Sequence, residues 1–330
     1  MVKDSRKKQG KKYLTLLLLL FTFLLFITST YAWFSTNRVV SLNTLNVHIQ
    51  ADGGLEISTD AVNFKQVITV QDIIDAKDLY PNSLNQIPYR LYPTSTGGII
   101  DSNGYLEMFS GEATNQSNTN FILVANKSTE VESFGEESEG KFIAFDLFFR
   151  TTNDKELYLS SNSGVVNNGD QSSGIENAAR IAFLNEGTTS DNANLAQNLN
   201  QASEAIIWEP NYDVHTEYGV RNAQSVYGIT TSMTNGNLLP YEGVISDIAT
   251  TDQVLITQAS SNYYPQFFRN VNVAISTPFG NTTNQRLLTL NPSITKIRVY
   301  MWIEGQDVDC EDNASYGDIS FNLEFTTNPS

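Results

Sequence analysis

The ten residues Lys141 to Arg150 (KFIAFDLFFR) constrain the fold more than any other stretch of the chain. Written as a strand, they put Ile143, Phe145, Leu147 and Phe149 on one face and Phe142, Ala144 and Phe148 on the other. A strand apolar on both faces needs cover on both, so it belongs at the centre of a layered β structure. Two later runs alternate cleanly and supply partners: Ile297, Val299, Met301 and Ile303 within Lys296 to Glu304, then Ile319, Phe321, Leu323 and Phe325 within Asp318 to Thr326. Many short strands with turn residues between them and little helix predict a mainly β fold. The expected form is an antiparallel β-sandwich of jelly-roll type with a few short helices, preceded by an N-terminal hydrophobic helix.

The other elements are read in order. Arg38 to Ala51 has apolar residues at Val40 and Leu42, then changes phase to Leu45, Val47 and Ile49, which predicts a strand with a bulge at Asn43-Thr44. Strands are also expected at Val62 to Val70, Tyr105 to Phe109, Phe121 to Ala125, Arg180 to Leu184, Ala205 to Trp208, Val254 to Thr257, Val271 to Ser276 and Leu287 to Leu290. Pro88 restricts Ile87 to Leu91 to an edge. Helical spacing is confined to Gln71 to Leu79 and to Asp191 to Ala205. Gly111 to Asn120 and Lys127 to Gly140 are polar enough to be loops, Asn162 to Asn177 reads as mobile, and inserted loops are expected near 160–205 and 211–245.

The N-terminus decides where such a body works. Lys3, Arg6, Lys7, Lys8, Lys11 and Lys12 precede an uncharged stretch from Tyr13 to Asn37, whose Leu/Phe-rich heart, Leu14 to Ile27, runs 14 residues. That length fits a secretory signal better than a bilayer span of about 20 residues. Ala32 is the −1 residue of a cleavage site before Trp33, with Thr30 at −3. Counting Tyr31 to Phe34 as well gives the alternative of an uncleaved anchor with Tyr31 and Trp33 at the interface. Residues 1–32 are thus a signal peptide or membrane anchor and 33–330 an extracellular body, with the N-terminus inside under either reading.

Composition agrees with export. The formal charge is −16, and the first 32 residues hold six of the 20 basic residues but one of the 36 acidic ones, so the body carries 14 against 35, or −21. Such a surface repels nucleic acid. The single cysteine, Cys310, excludes an internal disulfide.

Signals for chemistry are few. His48 and His215 are the only histidines and no H-E-x-x-H is present, so the usual zinc-protease site cannot be built. His48 falls on the polar face of its strand and reads as a surface residue, while His215 lies in a stretch without pattern. Cys310 sits among Asp309, Glu311 and Asp312, a field that blunts a thiol nucleophile. Asp307, Asp309, Glu311 and Asp312 have the alternating spacing of calcium ligands, without the EF-hand glycine, and the competing reading is a solvated acidic hairpin loop. Apart from calcium there, no cofactor is expected. Tyr263, Tyr264, Phe267 and Phe268 are candidates for an aromatic binding patch.

Thr30-Tyr31-Ala32-Trp33-Phe34-Ser35, between the apolar leader and a Val/Leu strand, resembles the T-x-A-x-F region of bacterial exported proteins processed by the SipW-type signal peptidase, a group that contains TasA-like fibre subunits and camelysin-like surface proteins. Internal words such as Trp208-Glu209-Pro210-Asn211 and Tyr300-Met301-Trp302-Ile303-Glu304-Gly305 look like those of larger exported Firmicutes proteins. The resemblance implies a non-enzymatic surface or biofilm-matrix protein that polymerises by donating its N-terminal strand, with Trp33, Phe34, Val40 and Leu42 as the donated apolar residues. β-Augmentation of that kind gains affinity from the strand edge and register from the side chains. Partners would be other copies or other surface proteins, and the membrane through the N-terminal segment. An anchored adhesin or ligand-binding module is the alternative, and a camelysin-like peptidase has less support.

Overall fold

The computed structural model describes residues 40–50, 55–117, 120–128, 138–190, 192–221, 242–249, 266–310 and 317–329. In chain order the elements are β1 (Val40–Gln50), β2 (Leu55–Ser58), β3 (Val67–Ile68), α1 (Val70–Asp75), β4 (Arg90–Leu91), β5 (Phe109–Ser117), β6 (Asn120–Lys127), β7 (Glu139–Gly140), β8 (Ile143–Thr151), β9 (Lys155–Leu159) and β10 (Gly164–Asn167). They continue as β11 (Ala179–Thr189), α2 (Ala193–Gln197), β12 (Ala205–Pro210), β13 (Glu242–Val244), β14 (Phe268–Asn270), β15 (Val273–Thr277), β16 (Gln285–Leu290), β17 (Ser293–Ile303) and β18 (Asp318–Thr326). One sheet, A, runs β16-β9-β18-β1-β4-β7, with β10 also on β18 and β3 also on β1. The second, B, runs β15-β12-β11-β17-β8-β2, and β5-β6 and β13-β14 form separate hairpins. The protein is mainly β.

Residues of both sheets join in one apolar cluster. Ile143, Phe145, Leu147 and Phe149 of β8, Ile297, Val299, Met301 and Ile303 of β17 and Phe183 of β11 meet Ile319, Phe321, Leu323 and Phe325 of β18. Phe325 packs edge-on against Phe149, ring centroids 5.1 Å apart, and against Phe183 at 6.1 Å. Sheet B is covered on its other face too: Phe142, Ala144, Ala182, Leu184, Tyr300 and Trp302 form a second cluster with Leu106 and Met108. The two-sided apolarity of Lys141 to Arg150 thus has its expected consequence, because β8 is a strand with cover above and below.

Several expectations need correction. The pairing is mixed rather than antiparallel throughout, since β1 lies parallel to β18, β12 to β15 and β4 to β7. Alternation reveals a strand but not its direction, which the path of the chain sets. The slip predicted at Asn43-Thr44 is present as a register shift between Leu42 and Thr44. Gly111 to Asn120 is no loop: most of it belongs to the β5-β6 hairpin, whose backbone ladder does not require apolar alternation. Of Val62 to Val70, strand pairing is limited to β3 and one bridge from Lys65 to Ile57, because Asp60 accepts the Val62 and Asn63 amides at 2.8 and 2.7 Å and bends the chain first. The insert expected near 160–205 contains β10, paired to β18, and β11, which runs through the middle of sheet B. Asn, Asp and Ser there act as turn partners, Asn167 donating to the Asp170 carbonyl at 3.0 Å and Asp170 capping Ser172 at 2.9 Å. Helices form where spacing predicted them; α1 starts with a capping box between Thr69 and Asp72. Phe268 is buried in β14 rather than displayed. Val254 to Thr257, Tyr263 and Tyr264, most of the insert near 211–245 and the N-terminal hydrophobic segment lie outside the described residues. Among the described residues no helix is long and apolar enough to cross a membrane.

Candidate functional site

The richest polar constellation forms where β17 ends. After Ile303 the chain turns through Glu304 to Cys310, with Asp307 N–H donating to the Glu304 carbonyl at 3.1 Å and Asp309 N–H to Asp307 Oδ1 at 2.9 Å. This turn aims Asp307 and Asp309 inward. The side chain of Asp309 is 0% exposed, and those of Asp307 and His215 are each 3% exposed.

Residues 177–180 and 215–219 converge on the two carboxylates. Asp309 is bonded to His215 Nδ1 at 2.7 Å and accepts from the Thr216 N–H at 2.8 Å, Thr216 Oγ1 at 2.7 Å and Asn177 Nδ2 at 3.2 Å. Asp307 accepts from Arg180 Nη2 at 2.6 Å and stands 3.9 Å from His215 Nδ1. Arg180, the second residue of β11, also donates to Glu209 of β12 at 2.5 Å and to the carbonyls of Asn177 and Ala179. Close approach is needed throughout: a Cβ on Gly219 would come within 2.5 Å of the Val308 carbonyl oxygen and 2.9 Å of Asp309 Oδ1. Glycine lets the short helical segment 217–221 lie directly on the acidic turn.

The electrostatics follow from the count of charges. Three carboxylates, Asp307, Asp309 and Glu209, face one guanidinium, so an added proton is favoured. Burial pushes His215 down, but the hydrogen bond to Asp309 and the charges of Asp307 and Asp309 outweigh it, and its pKa is raised. Burial pushes Glu209 up against the pull of Arg180. Glu176, behind Asp309, is likewise raised by burial. The arrangement is chemically a proton-holding clasp that ties 211–221 to the ends of β11, β12 and β17.

As a metal centre, His215, Asp307 and Asp309 offer one ligand atom each, all within 4.8 Å of one another. The nitrogen donor suits zinc-type cations rather than calcium, which prefers oxygen throughout. As folded, the carboxylates already serve Arg180, Thr216, Asn177 and His215. Glu311 and Asp312 lie outside the described residues. The solvated hairpin loop expected here is corrected for Asp307 and Asp309, which are buried.

The remaining sequence candidates are placed elsewhere. Ala32, Trp33 and Phe34 lie outside the described residues. In β1, Val40 stands opposite Leu91 of β4 and Leu42 opposite Ile319 of β18, so this strand is paired within its own chain. Cys310 is buried beside the main core. Sequence reasoning missed His215, Arg180 and Glu209 as a group. A usable signal was present, since Arg180 opens a run of apolar strand residues and a charge in such a place needs a buried partner.

No family model matches the chain, and neither a curated protein nor a solved structure shows significant similarity to it.

Proposed function

We propose that the chain is an exported, non-enzymatic protein of the bacterial cell surface or extracellular matrix, its body a β-sandwich of jelly-roll type carried out of the cytosol by residues 1–32. One observation supports this reading best: the strand that follows the leader is an interior member of sheet A. Only residues 33–39 separate the cleavage site before Trp33 from β1, which has β18 on one side and β3 and β4 on the other. Freeing the N-terminus therefore governs a strand on which the sheet depends. If that strand leaves its slot, a neighbouring copy's β1 fits the same register against β18, and repetition of the exchange makes a fibre. The acidic body and the absence of any possible internal disulfide suit a bacterial exterior.

An uncleaved leader gives the second reading, a membrane-anchored adhesin or binding module with its C-terminal body outside. Mass spectrometry of the mature protein separates the two. A chain beginning at Trp33 that forms ordered filaments supports the subunit; a chain retaining residues 1–32 that remains unassembled supports the anchored module. Recovery of the body in the cytosol overturns both.

A further inference from the structure

Sheet B carries a second group of buried charges, on the face turned away from the main core. Asp146 of β8, Glu186 of β11 and Lys296 and Arg298 of β17 are all 0% exposed. Lys296 Nζ lies 3.1 Å from Asp146 Oδ2. Arg298 grips the same carboxylate through Nε at 2.8 Å and Nη2 at 3.3 Å, and Tyr80 OH donates to it at 3.1 Å. Asp146 stands opposite Arg298 and Phe148 opposite Lys296, so the lysine and the aspartate are diagonal neighbours on adjacent strands. Glu186 shares this face with Ala182 and Leu184 and is the extra residue of the bulge in β11, beside Gly187 with its φ of 112°. Its Oε1 is 3.5 Å from Arg298 Nη1, and neither atom has a hydrogen-bond partner among the described residues. The rings of Tyr80 and Phe148 close over Nζ, with centroids at 5.4 and 5.9 Å.

This environment favours reactive protonation states. Burial pushes Lys296 down towards the neutral amine, and Asp146, which would oppose that, is already engaged by Arg298. Burial pushes Glu186 up towards the neutral acid, despite Arg298. Asp146 is pushed up by burial but held below the usual carboxylate range by Arg298 and Lys296 together. Both shifts run towards the amine and the acid, and Arg298 remains paired with the Asp146 carboxylate through Nε at 2.8 Å.

We propose that Lys296 and Asp146 condense into an intramolecular amide, an isopeptide bond between β17 and β8, with Glu186 carrying the proton and Arg298 holding the acceptor carboxylate. Nζ lies 3.1 Å from Oδ2 of the carboxylate it would attack, held in place by its bonds to the Gln197 and Leu199 carbonyls at 3.2 and 3.1 Å, and a desolvated lysine is an activated nucleophile. Its lone pair forms the C–N bond at Cγ of Asp146, and Arg298 stabilises the charge on the tetrahedral centre. One amine proton and the proton of Glu186 leave on the departing oxygen as water when the C–O bond breaks. The products are the amide, water and a Glu186 carboxylate, which takes over as the partner of Arg298 across the present gap. Amine, carboxylate and acid become amide, water and carboxylate, so atoms and charge balance and no co-reactant is needed. In a chain with one cysteine, such a bond supplies a covalent tie that reductants do not cut. The proposal does not depend on export or on fibre formation.

The test is the mass of the purified full chain. The expected mass is one water below that of the sequence counted from the observed N-terminus. Trypsin should leave residues 142–150 joined to 287–298, uncut after Lys296. A mass equal to the plain sequence, with free peptides 142–150 and 287–296, overturns the proposal. So does a loss of water without the branched peptide, which indicates cyclisation of a single residue. Glu186→Gln should slow cross-linking by about 100-fold or more, the usual worth of a general acid; an unchanged rate removes Glu186 from the reaction. Lys296→Met should keep the full mass, and if that variant fails to fold, the wild-type mass and branched peptide decide alone.

Discussion

Replacing Asp309 by asparagine tests the clasp at the end of β17 most directly. The change keeps the shape of the side chain and removes its charge. The wild-type carboxylate serves the Thr216 N–H and hydroxyl through Oδ1, and His215 and Asn177 through Oδ2. An asparagine keeps one accepting oxygen, so its amide must point at donors on the other side. One or two buried donors then lose their partner, at about 1–3 kcal/mol each, and His215 loses the carboxylate that holds its proton. Breaking a buried charged pair on one side costs about 3–5 kcal/mol, and the two routes agree on a loss of about 3–5 kcal/mol. For a body of this size that lowers Tm by roughly 6–15 °C. Urea unfolding at neutral pH measures the loss as a shift of the midpoint.

The pH dependence supplies a second handle on the same substitution. The folded pKa of His215 is raised, so its contribution is complete below the ordinary histidine value of about 6.5 and disappears as pH rises through the folded value. Glu209, also raised, contributes with the same sign, its share being lost as pH rises through its own folded value. Wild-type stability should therefore fall as pH rises from about 6.5 through the folded value of His215, and Asp309→Asn should flatten that fall. His215→Gln should flatten it as well, and the double variant should lose less than the sum of the singles. A loss under about 1 kcal/mol for Asp309→Asn, or an unchanged alkaline slope, would refute the electrostatic account of the clasp.

Two further outcomes are expected. Phe325→Ala removes the ring that bridges Phe149 and Phe183 between the sheets and should cost about 3–5 kcal/mol in urea unfolding; a loss below about 1 kcal/mol would mean that the sheets do not share a core. Millimolar calcium should leave the melting temperature unchanged, because Asp307 and Asp309 already serve protein donors. A rise of several degrees would show that Glu311 and Asp312 complete a site with them.

The legibility of the candidate site was uneven for a physical reason. Asp307 and Asp309 drew attention because their spacing is local, whereas His215, Arg180 and Glu209 reach them from other segments. Nothing in the residues around His215 announces a partner 94 positions away. The polar Asn162 to Asn177 stretch read as mobile because its turn-forming side chains are the same in a loop and in a structured corner. Around Lys296 and Arg298 the alternation of Ile297, Val299, Met301 and Ile303 was legible, but not that Asp146 and Glu186 meet the two cations on the opposite face.

What the sequence determined alone was strand existence and burial where alternation is strong. β8, β17 and β18 appear at their expected places, the bulge in β1 follows from a change of phase, and α1 follows from its apolar spacing and cap. These depend on neighbours within a few residues, where side-chain direction repeats with the backbone. Only the tertiary structure decided that β1 lies parallel to β18, that β11 occupies the middle of sheet B, and that buried acids and bases meet in two clusters. Those facts depend on loop paths and on which faces are covered, and a pattern of period two carries no record of either.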